Sequence, residues 1–264
     1  MKSTCAAIVL GLVLGLAAIH MVRTDAATSS QEKPSNKLSD KYLGPIVDYE
    51  LEYQAASVGD PKERALRMAR AQRYNDRGPS PLGDFPPDSV GFATGTDWYI
   101  GVPALPLAQC DAVIVGEVAA AEAHISPDRT GVYSEFSIRV DEILKNSVET
   151  PVKAGDLTVG EREGGVVRFQ GGRLFEYMIF HQGMPGTGRK YLFFLSDNKQ
   201  GGDYLIVTAY ELRDGQVIPL DDSHAFASYK GSDEQEFLIK VRGAIARGWR
   251  VSTTLRHRPP NSLL

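Results

Sequence analysis

Short apolar segments separated by turn residues dominate the second half of the sequence. The apolar positions over residues 132–140 share one parity, and they are Val132, Phe136, Ile138 and Val140. This period of two is typical of a strand with one buried face. Further strand candidates cover residues 111–118, 157–161, 166–169, 174–180, 191–195, 204–212 and 217–220. Glycine-rich turns separate them, so the pattern predicts an antiparallel sandwich or barrel over residues 108–222.

Two segments carry helix signals instead. Asp60 followed by Pro61 is a good helix start, and the pattern predicts a helix over residues 60–74. A second helix is predicted over residues 231–250, where Ser232 opens a capping box with Gln235. Its apolar stripe consists of Phe237, Leu238, Val241, Ile245 and Trp249. We expect this stripe to pack on the strands.

The N-terminus has the pattern of a secretory signal peptide. A basic start is followed by an unbroken apolar or small run over residues 5–19, and small residues at Ala26 and Ala27 suit cleavage. The pattern therefore predicts a signal peptide over residues 1–27. The alternative is an uncleaved membrane anchor over residues 5–22. Both alternatives place the remaining chain outside the cytoplasm, either secreted or periplasmic, or anchored to the membrane.

The remaining segments are ancillary to the strands. Residues 28–43 are polar and read as a flexible tether. Residues 44–107 form an N-terminal extension, with the 60–74 helix and a connector rich in proline and glycine. Residues 251–264 are a basic tail that we expect to be disordered.

Composition and charge limit the classes of protein to which the chain can belong. The chain has 264 residues, of which 42% are hydrophobic and 23% are charged, as in globular proteins. A formal net charge of −4 argues against nucleic-acid binding. Cleavage would remove Cys5 and leave Cys110 without an intramolecular disulfide partner. Cys110 is then either a buried small hydrophobic residue or a thiol for intermolecular pairing or reaction.

The stretch GMPGTGRKY at residues 183–191 superficially matches a phosphate-binding loop. Such a loop leads into a helix and ends in Lys followed by Ser or Thr. Here Arg189 and Lys190 take those two places, and the strand candidate 191–195 follows. The stretch is therefore predicted to connect two strands, and no nucleotide is expected.

Catalytic candidates are few and scattered. Asp222 and His224 share one loop and are weak candidates for a metal site. His181 lies near the glycine loop, and Glu161 and Glu163 would share a strand face as paired carboxylates do in glycosidases. Solvated loops and strands commonly carry such groups. We expect no catalytic residues and no cofactor.

The first predicted helix carries a regular basic pattern. Arg64, Arg67, Arg70 and Arg73 recur at every third residue. Steps of three on a helix of 3.6 residues per turn give a slowly winding stripe, which we call the arginine ridge. The ridge is a candidate surface for an acidic protein or an anionic envelope polymer. The alternative is a solvated helix whose long side chains lie over apolar neighbours.

Three segments of the strand region resemble a known domain type. They are CDAVIVGEV at 110–118, EFSIRVDEILK at 135–145 and GRKYLFFL at 188–195. They resemble uncharacterised exported bacterial domains and, more distantly, the netrin-like domain of the tissue inhibitors of metalloproteinases, an OB-type barrel. The resemblance implies a five- or six-stranded barrel capped by a helix. Those inhibitors need several disulfides and an N-terminal cysteine, whereas Cys110 lies deep in the chain, so inhibition does not carry over.

The resulting expectation is a mainly β protein: an antiparallel OB-like barrel or small sandwich with a C-terminal helix and a helical, Pro/Gly-rich N-terminal extension. The expected function is that of an exported, non-enzymatic module that binds an unknown protein or an anionic envelope polymer. Contact with a membrane is expected only through an uncleaved N-terminal segment. One alternative is an exported hydrolase or metal-dependent enzyme using His181, Asp222 and His224. The other is a domain resembling protease inhibitors.

Overall fold

A computed structural model describes residues 44–55, 60–94, 99–148 and 151–256. The predicted signal peptide and tether, 1–27 and 28–43, lie outside these residues. The strands in the described residues are β1 (Ile46–Asp48), β2 (Gly91–Thr94), β3 (Ala112–Ile125), β4 (Val132–Asn146), β5 (Leu157–Glu163), β6 (Gly165–Arg168), β7 (Leu174–Ile179), β8 (Lys190–Asn198), β9 (Asp203–Arg213) and β10 (Gln216–Pro219). The helices are α1 (Tyr49–Ala55), α2 (Pro61–Gln72), α3 (His224–Ala227) and α4 (Glu234–Arg256).

Five of these strands form a closed ring. Its order is β3, β4, β5, β9 and β8, and β8 pairs with β3 to complete it. All pairings in the ring are antiparallel except that of β5 with β9, which is parallel at Gly160–Tyr204 and Glu161–Leu205. β10 extends the sheet beside β9. The ring is an OB-like barrel, and the expected mainly β fold class is confirmed.

The interior of the barrel holds the alternate apolar positions that the sequence pattern predicts. Phe136 and Ile138 on β4 are fully buried there, together with Ile114 and Phe193 from the neighbouring strands. Close packing of these side chains fills the ring. The period-two prediction for residues 132–140 is therefore confirmed.

The C-terminal helix covers the outside of the barrel, as expected. Phe237, Leu238 and Val241 are buried against outward-facing side chains of β3, β8 and β9. The helix differs from the prediction at both ends. Asp233 rather than Ser232 caps it, because the Asp233 carboxylate accepts a hydrogen bond from the Glu236 N–H at 3.0 Å. It continues to Arg256, so residues 251–256 of the expected tail are helical.

A second, smaller sheet is the main departure from the predicted architecture. Its order is β1, β6, β7 and β2, so the hairpin β6–β7 leaves the ring and pairs with two strands of the N-terminal extension. The predicted extension of one helix and a connector over residues 44–107 lacks the short elements β1, α1 and β2. The strand candidates 166–169 and 174–180, predicted as part of the barrel or sandwich, form this hairpin instead. Its apolar face is buried with Tyr49, Leu82 and Ile125.

No helix among the described residues combines the length and the hydropathy that crossing a membrane would require.

Candidate functional site

Helix α2 carries the arginine ridge and lies against the barrel. The Asp60 carboxylate caps it by accepting a hydrogen bond from the Lys62 N–H at 2.8 Å, so the predicted helix start is confirmed. Ala71 and Tyr74 are buried against Tyr133 of β4, and the Tyr74 and Tyr133 rings stack with centroids 4.5 Å apart. The extension thus covers the barrel face that carries Tyr133 and Glu135, the face that the sequence pattern marked as mainly polar.

The inner half of the ridge, Arg70 and Arg73, forms ion pairs with the barrel. Arg70 reaches three carboxylates: Asp203 at 3.1 Å, Glu135 at 3.2 Å and Glu161 at 3.7 Å. Its Nε also donates to the Gly201 carbonyl at 3.0 Å. Because the Arg70 side chain is only 15% exposed, this residue anchors the helix rather than presenting a cation to a partner.

Arg73 is engaged in the same way. Its guanidinium lies 3.6 Å from Glu161 and donates to Asn198. The Tyr74 hydroxyl donates to Glu161 at 3.0 Å. The ridge is therefore not one continuous solvent-facing stripe, because Arg70 and Arg73 belong to a buried network. We call it the latch, consisting of Arg70, Arg73, Tyr74, Glu135, Glu161, Asn198 and Asp203.

The closure of the barrel explains how the latch forms. The parallel pairing of β5 with β9 brings Glu161 beside the start of β9, where Asp203 lies. Both side chains are fully buried. Burial, followed by the neighbouring Asp203 carboxyl group, raises the pKa of Glu161 to about 9. Burial also raises the pKa of Asp203.

One proton shared by Glu161 and Asp203 would balance the charges of the latch. Two guanidinium groups face three carboxyl groups there, and one proton held between Glu161 and Asp203 leaves two negative charges for the two positive ones. Uncompensated charges are costly in a buried site. Glu161 Oε1 and Asp203 Oδ2 lack a hydrogen-bond partner among the described residues. A proton between them would satisfy both atoms.

Glu161 and Glu163 are the possible paired carboxylates that the sequence pattern places on one strand face. β5 does continue to Glu163, but the two groups have different partners. Glu161 belongs to the latch, whereas Glu163 accepts from the Tyr177 hydroxyl at 3.2 Å and lies 3.9 Å from Arg77. Both carboxylates are covered by the N-terminal extension or the second sheet, so this pair is not an open catalytic site.

The outer half of the ridge consists of Arg64 and Arg67. Arg64 and Arg67 are exposed, and both line a cavity of about 180 Å³ between α2, the α1 segment and the turn that joins β3 to β4. Arg129 from that turn also lines the cavity. Three cations therefore line the cavity, and Arg64 and Arg67 are the exposed half of the ridge.

His124 and Glu52 form a pair beside this cavity. His124 Nδ1 is 2.9 Å from Glu52 of α1, and the His124 ring packs on Tyr133 with centroids 5.2 Å apart. His124 Nε2 and the Tyr133 hydroxyl are buried and have no hydrogen-bond partner among the described residues. The sequence pattern favours a surface imidazole at His124, and this expectation is wrong because the side chain is 93% buried. Tyr133 was not predicted, because it falls on the mostly polar face of β4.

The glycine loop connects β7 to β8, as predicted, and is held by a buried ion pair. Arg162 Nη2 donates to Asp221 at 2.7 Å, and both side chains are at least 98% buried. Arg162 Nη1 donates to the Gly183 carbonyl, and Asp221 accepts from the Gly183 N–H. A side chain at Gly183 would lie 2.1 Å from the Leu220 carbonyl oxygen, so only glycine fits there. The loop is structural.

The remaining candidates lie near this loop. His181 and Asp222 line an open groove of about 600 Å³, and the Asp222 N–H donates to the His181 carbonyl at 2.9 Å. His224 begins α3 and is not among the residues that line the groove. No three His, Cys, Asp or Glu side chains in the described part of the chain are arranged to hold a metal. Asp222 and His224 thus have no third ligand among those residues.

Cys110 is buried at the entrance of β3, in contact with the cluster that packs under α4. Burial raises the pKa of its thiol to about 11. The small hydrophobic alternative therefore describes its environment.

Comparison with known proteins adds no relative to this picture. The sequence matches no model of a known protein family. No curated protein is detectably similar to it. The similarity to netrin-like and exported bacterial domains stays a prediction, and the function must be argued from the site itself.

Proposed function

We propose that the chain is an exported, non-enzymatic β-barrel module that binds an anionic partner, either a protein or an envelope polymer, through Arg64 and Arg67. The observation that carries this proposal is the division of the arginine ridge. Arg70 and Arg73 neutralise buried carboxylates, whereas Arg64 and Arg67 are exposed at the mouth of a cavity to which Arg129 adds a third cation.

The latch fixes the helix that carries Arg64 and Arg67, which favours binding at their surface. Helix α2 is held to the barrel by ion pairs and by the stacked Tyr74 and Tyr133 rings. A partner would meet arginines on a helix that is already positioned, so little ordering cost would accompany binding. The protein is acidic overall, with a formal net charge of −4, and the local cationic patch would therefore select orientation as well as partner.

The experiment that tests the proposal measures binding of the full-length chain to two polyanions. Poly-L-glutamate represents an acidic protein, and a teichoic acid represents an envelope polymer. We expect Arg64→Gln with Arg67→Gln to weaken binding to one of them by about tenfold at low salt, as two exposed charge pairs would. The affinity should also fall as salt is raised, because exposed charges are screened.

A charge-matched control keeps this test specific. Arg139→Gln with Arg213→Gln removes two exposed arginines from the barrel, where their side chains are 51% and 52% exposed. This variant should bind as the native chain does. The proposal is overturned if neither polymer binds, or if both double variants weaken binding equally, because the effect would then be one of net charge alone.

A further inference from the structure

The cavity beside Arg64 and Arg67 has a mostly apolar wall. It is formed by Tyr49, Met68, Ala71, Ile125, Pro127 and Tyr133. Met68 is 44% exposed at its rim, whereas Ala71, Ile125 and Tyr133 are buried. A concave apolar wall with a few polar groups is the usual composition of a small-molecule site. The wall therefore favours a ligand with an apolar body.

The charges at the cavity define the other end of that ligand. Arg64, Arg67 and Arg129 line it, and Glu52 is the one acidic side chain among the lining residues that the structure describes. Glu52 faces His124 Nδ1 at 2.9 Å. The Arg129 guanidinium lies 4.8 Å from the centre of the Tyr49 ring and covers it. The excess of positive charge selects an anionic group, and guanidinium groups suit carboxylates.

Tyr133 in the cavity wall and the His124 ring packed against it carry two buried polar groups. Tyr133 is fully buried, and the His124 side chain is 93% buried. In the described residues neither the Tyr133 hydroxyl nor His124 Nε2 has a hydrogen-bond partner. Buried polar groups in proteins are nearly always hydrogen-bonded, so an unpaired phenol in the cavity wall indicates a partner from outside the described chain. A hydroxyl group on the ligand would supply one.

The size of the cavity limits the ligand to one ring. An apolar cavity of about 150 Å³ takes up benzene, so a volume of about 180 Å³ with an open mouth accommodates a single substituted ring. We infer that the cavity binds a small aromatic carboxylate, with its ring between Met68 and Tyr133 and its carboxylate on Arg64 and Arg67. This inference rests on the proposed function, because the same two arginines would contact the anionic group.

The inference is tested by titration calorimetry of the full-length chain with three probes: benzoate, 4-hydroxybenzoate and benzyl alcohol. Benzoate should bind with one site per chain, and the uncharged benzyl alcohol should bind at least tenfold more weakly. Arg64→Gln and Arg67→Gln should each weaken benzoate binding by about tenfold, since each removes a charge-assisted hydrogen bond. Arg139→Gln with Arg213→Gln should leave it unchanged.

A second variant tests the inner end of the site. Tyr133→Phe keeps the ring that stacks on Tyr74 and removes only the unpaired hydroxyl. The native chain should prefer 4-hydroxybenzoate to benzoate by about tenfold, and the variant should lose this preference while binding benzoate as before. Circular dichroism melting verifies that each variant folds. Equal binding of the two probes by the native chain would overturn the contact with Tyr133.

The outcomes separate this inference from the proposed function. If no probe binds while a polyanion still requires Arg64 and Arg67, the cavity is not a ligand site and the binding surface stands. If benzoate binds through the arginines while neither polyanion does, the small-ligand site stands and the macromolecular partner is wrong. Benzoate binding that survives both arginine substitutions would overturn the inference, because the carboxylate would then lie elsewhere.

Discussion

Replacing Glu161 by Gln tests whether the latch holds a shared proton. Glu161 is 1% exposed, accepts a hydrogen bond from Tyr74 and lies beside Asp203. Burial and the Asp203 carboxyl raise its pKa to about 9 from 4.5. Gln has the same shape and is neutral at every pH, and its amide group can donate to Asp203. The variant therefore reproduces the protonated form of the native latch.

The magnitude follows from the pKa of Glu161 in the folded chain. Between pH 4.5 and pH 9 the folded chain keeps a proton that the unfolded chain releases, so the free energy of unfolding falls as pH rises through this window. The fall is at most about 1.4 kcal/mol per pH unit, or about 2.7 kcal/mol between pH 5.5 and 7.5. For a chain of this size that corresponds to a change in Tm of roughly 5–10 °C.

The assay is thermal unfolding of the native chain and of Glu161→Gln at pH 5.5, 6.5 and 7.5. We expect the variant to gain stability relative to the native chain as pH rises, because only the native chain loses the proton-linked contribution. Glu117→Gln is the matched control, since Glu117 pairs with Arg139 at the surface. Its difference from the native chain should not change with pH. A constant difference for Glu161→Gln as well would refute the shared proton.

Two further predictions concern other buried groups. Asp221→Asn leaves the buried Arg162 without its charged partner and should lower the free energy of unfolding by about 3–5 kcal/mol, measured by urea titration; a loss below 1 kcal/mol would contradict the structural role of this pair. In a chain carrying Cys5→Ser, the buried Cys110 thiol, with its pKa raised to about 11, should react with a disulfide reagent at least about a hundredfold more slowly when folded than in denaturant. Rapid stoichiometric labelling of the folded chain would show that Cys110 is accessible.

Much of the fold could be predicted because its signals are local. The alternation over β4 and the turn residues between strands report which face of each strand meets the core, and both depend on neighbours in the sequence. Asp60 indicates the start of α2 in the same way, because its contact lies within the next turn of the chain. The strand pattern over residues 191–195 likewise sufficed to predict that the glycine loop connects two strands.

The second sheet could not be predicted from such signals. The hairpin β6–β7 has the same alternating pattern as the barrel strands, and nothing in it indicates that its partners are β1 and β2 of the extension. Strand pairing between distant segments depends on which edges are free once the ring has closed. The short strands of the extension also lack the length that makes a local pattern recognisable.

The arginine ridge shows most clearly what each level decides. Its spacing, and the choice of arginine, are properties of the sequence alone, and so is the expectation of a cationic helix face. Only the tertiary structure decided that Arg70 and Arg73 pair with buried carboxylates and that Arg64 lines a cavity. The spacing of the arginines in the sequence would be the same whether their side chains met water or a buried carboxylate. The difference arises when β5 pairs with β9 and brings Glu161 and Asp203, far apart in the chain, beneath one turn of α2.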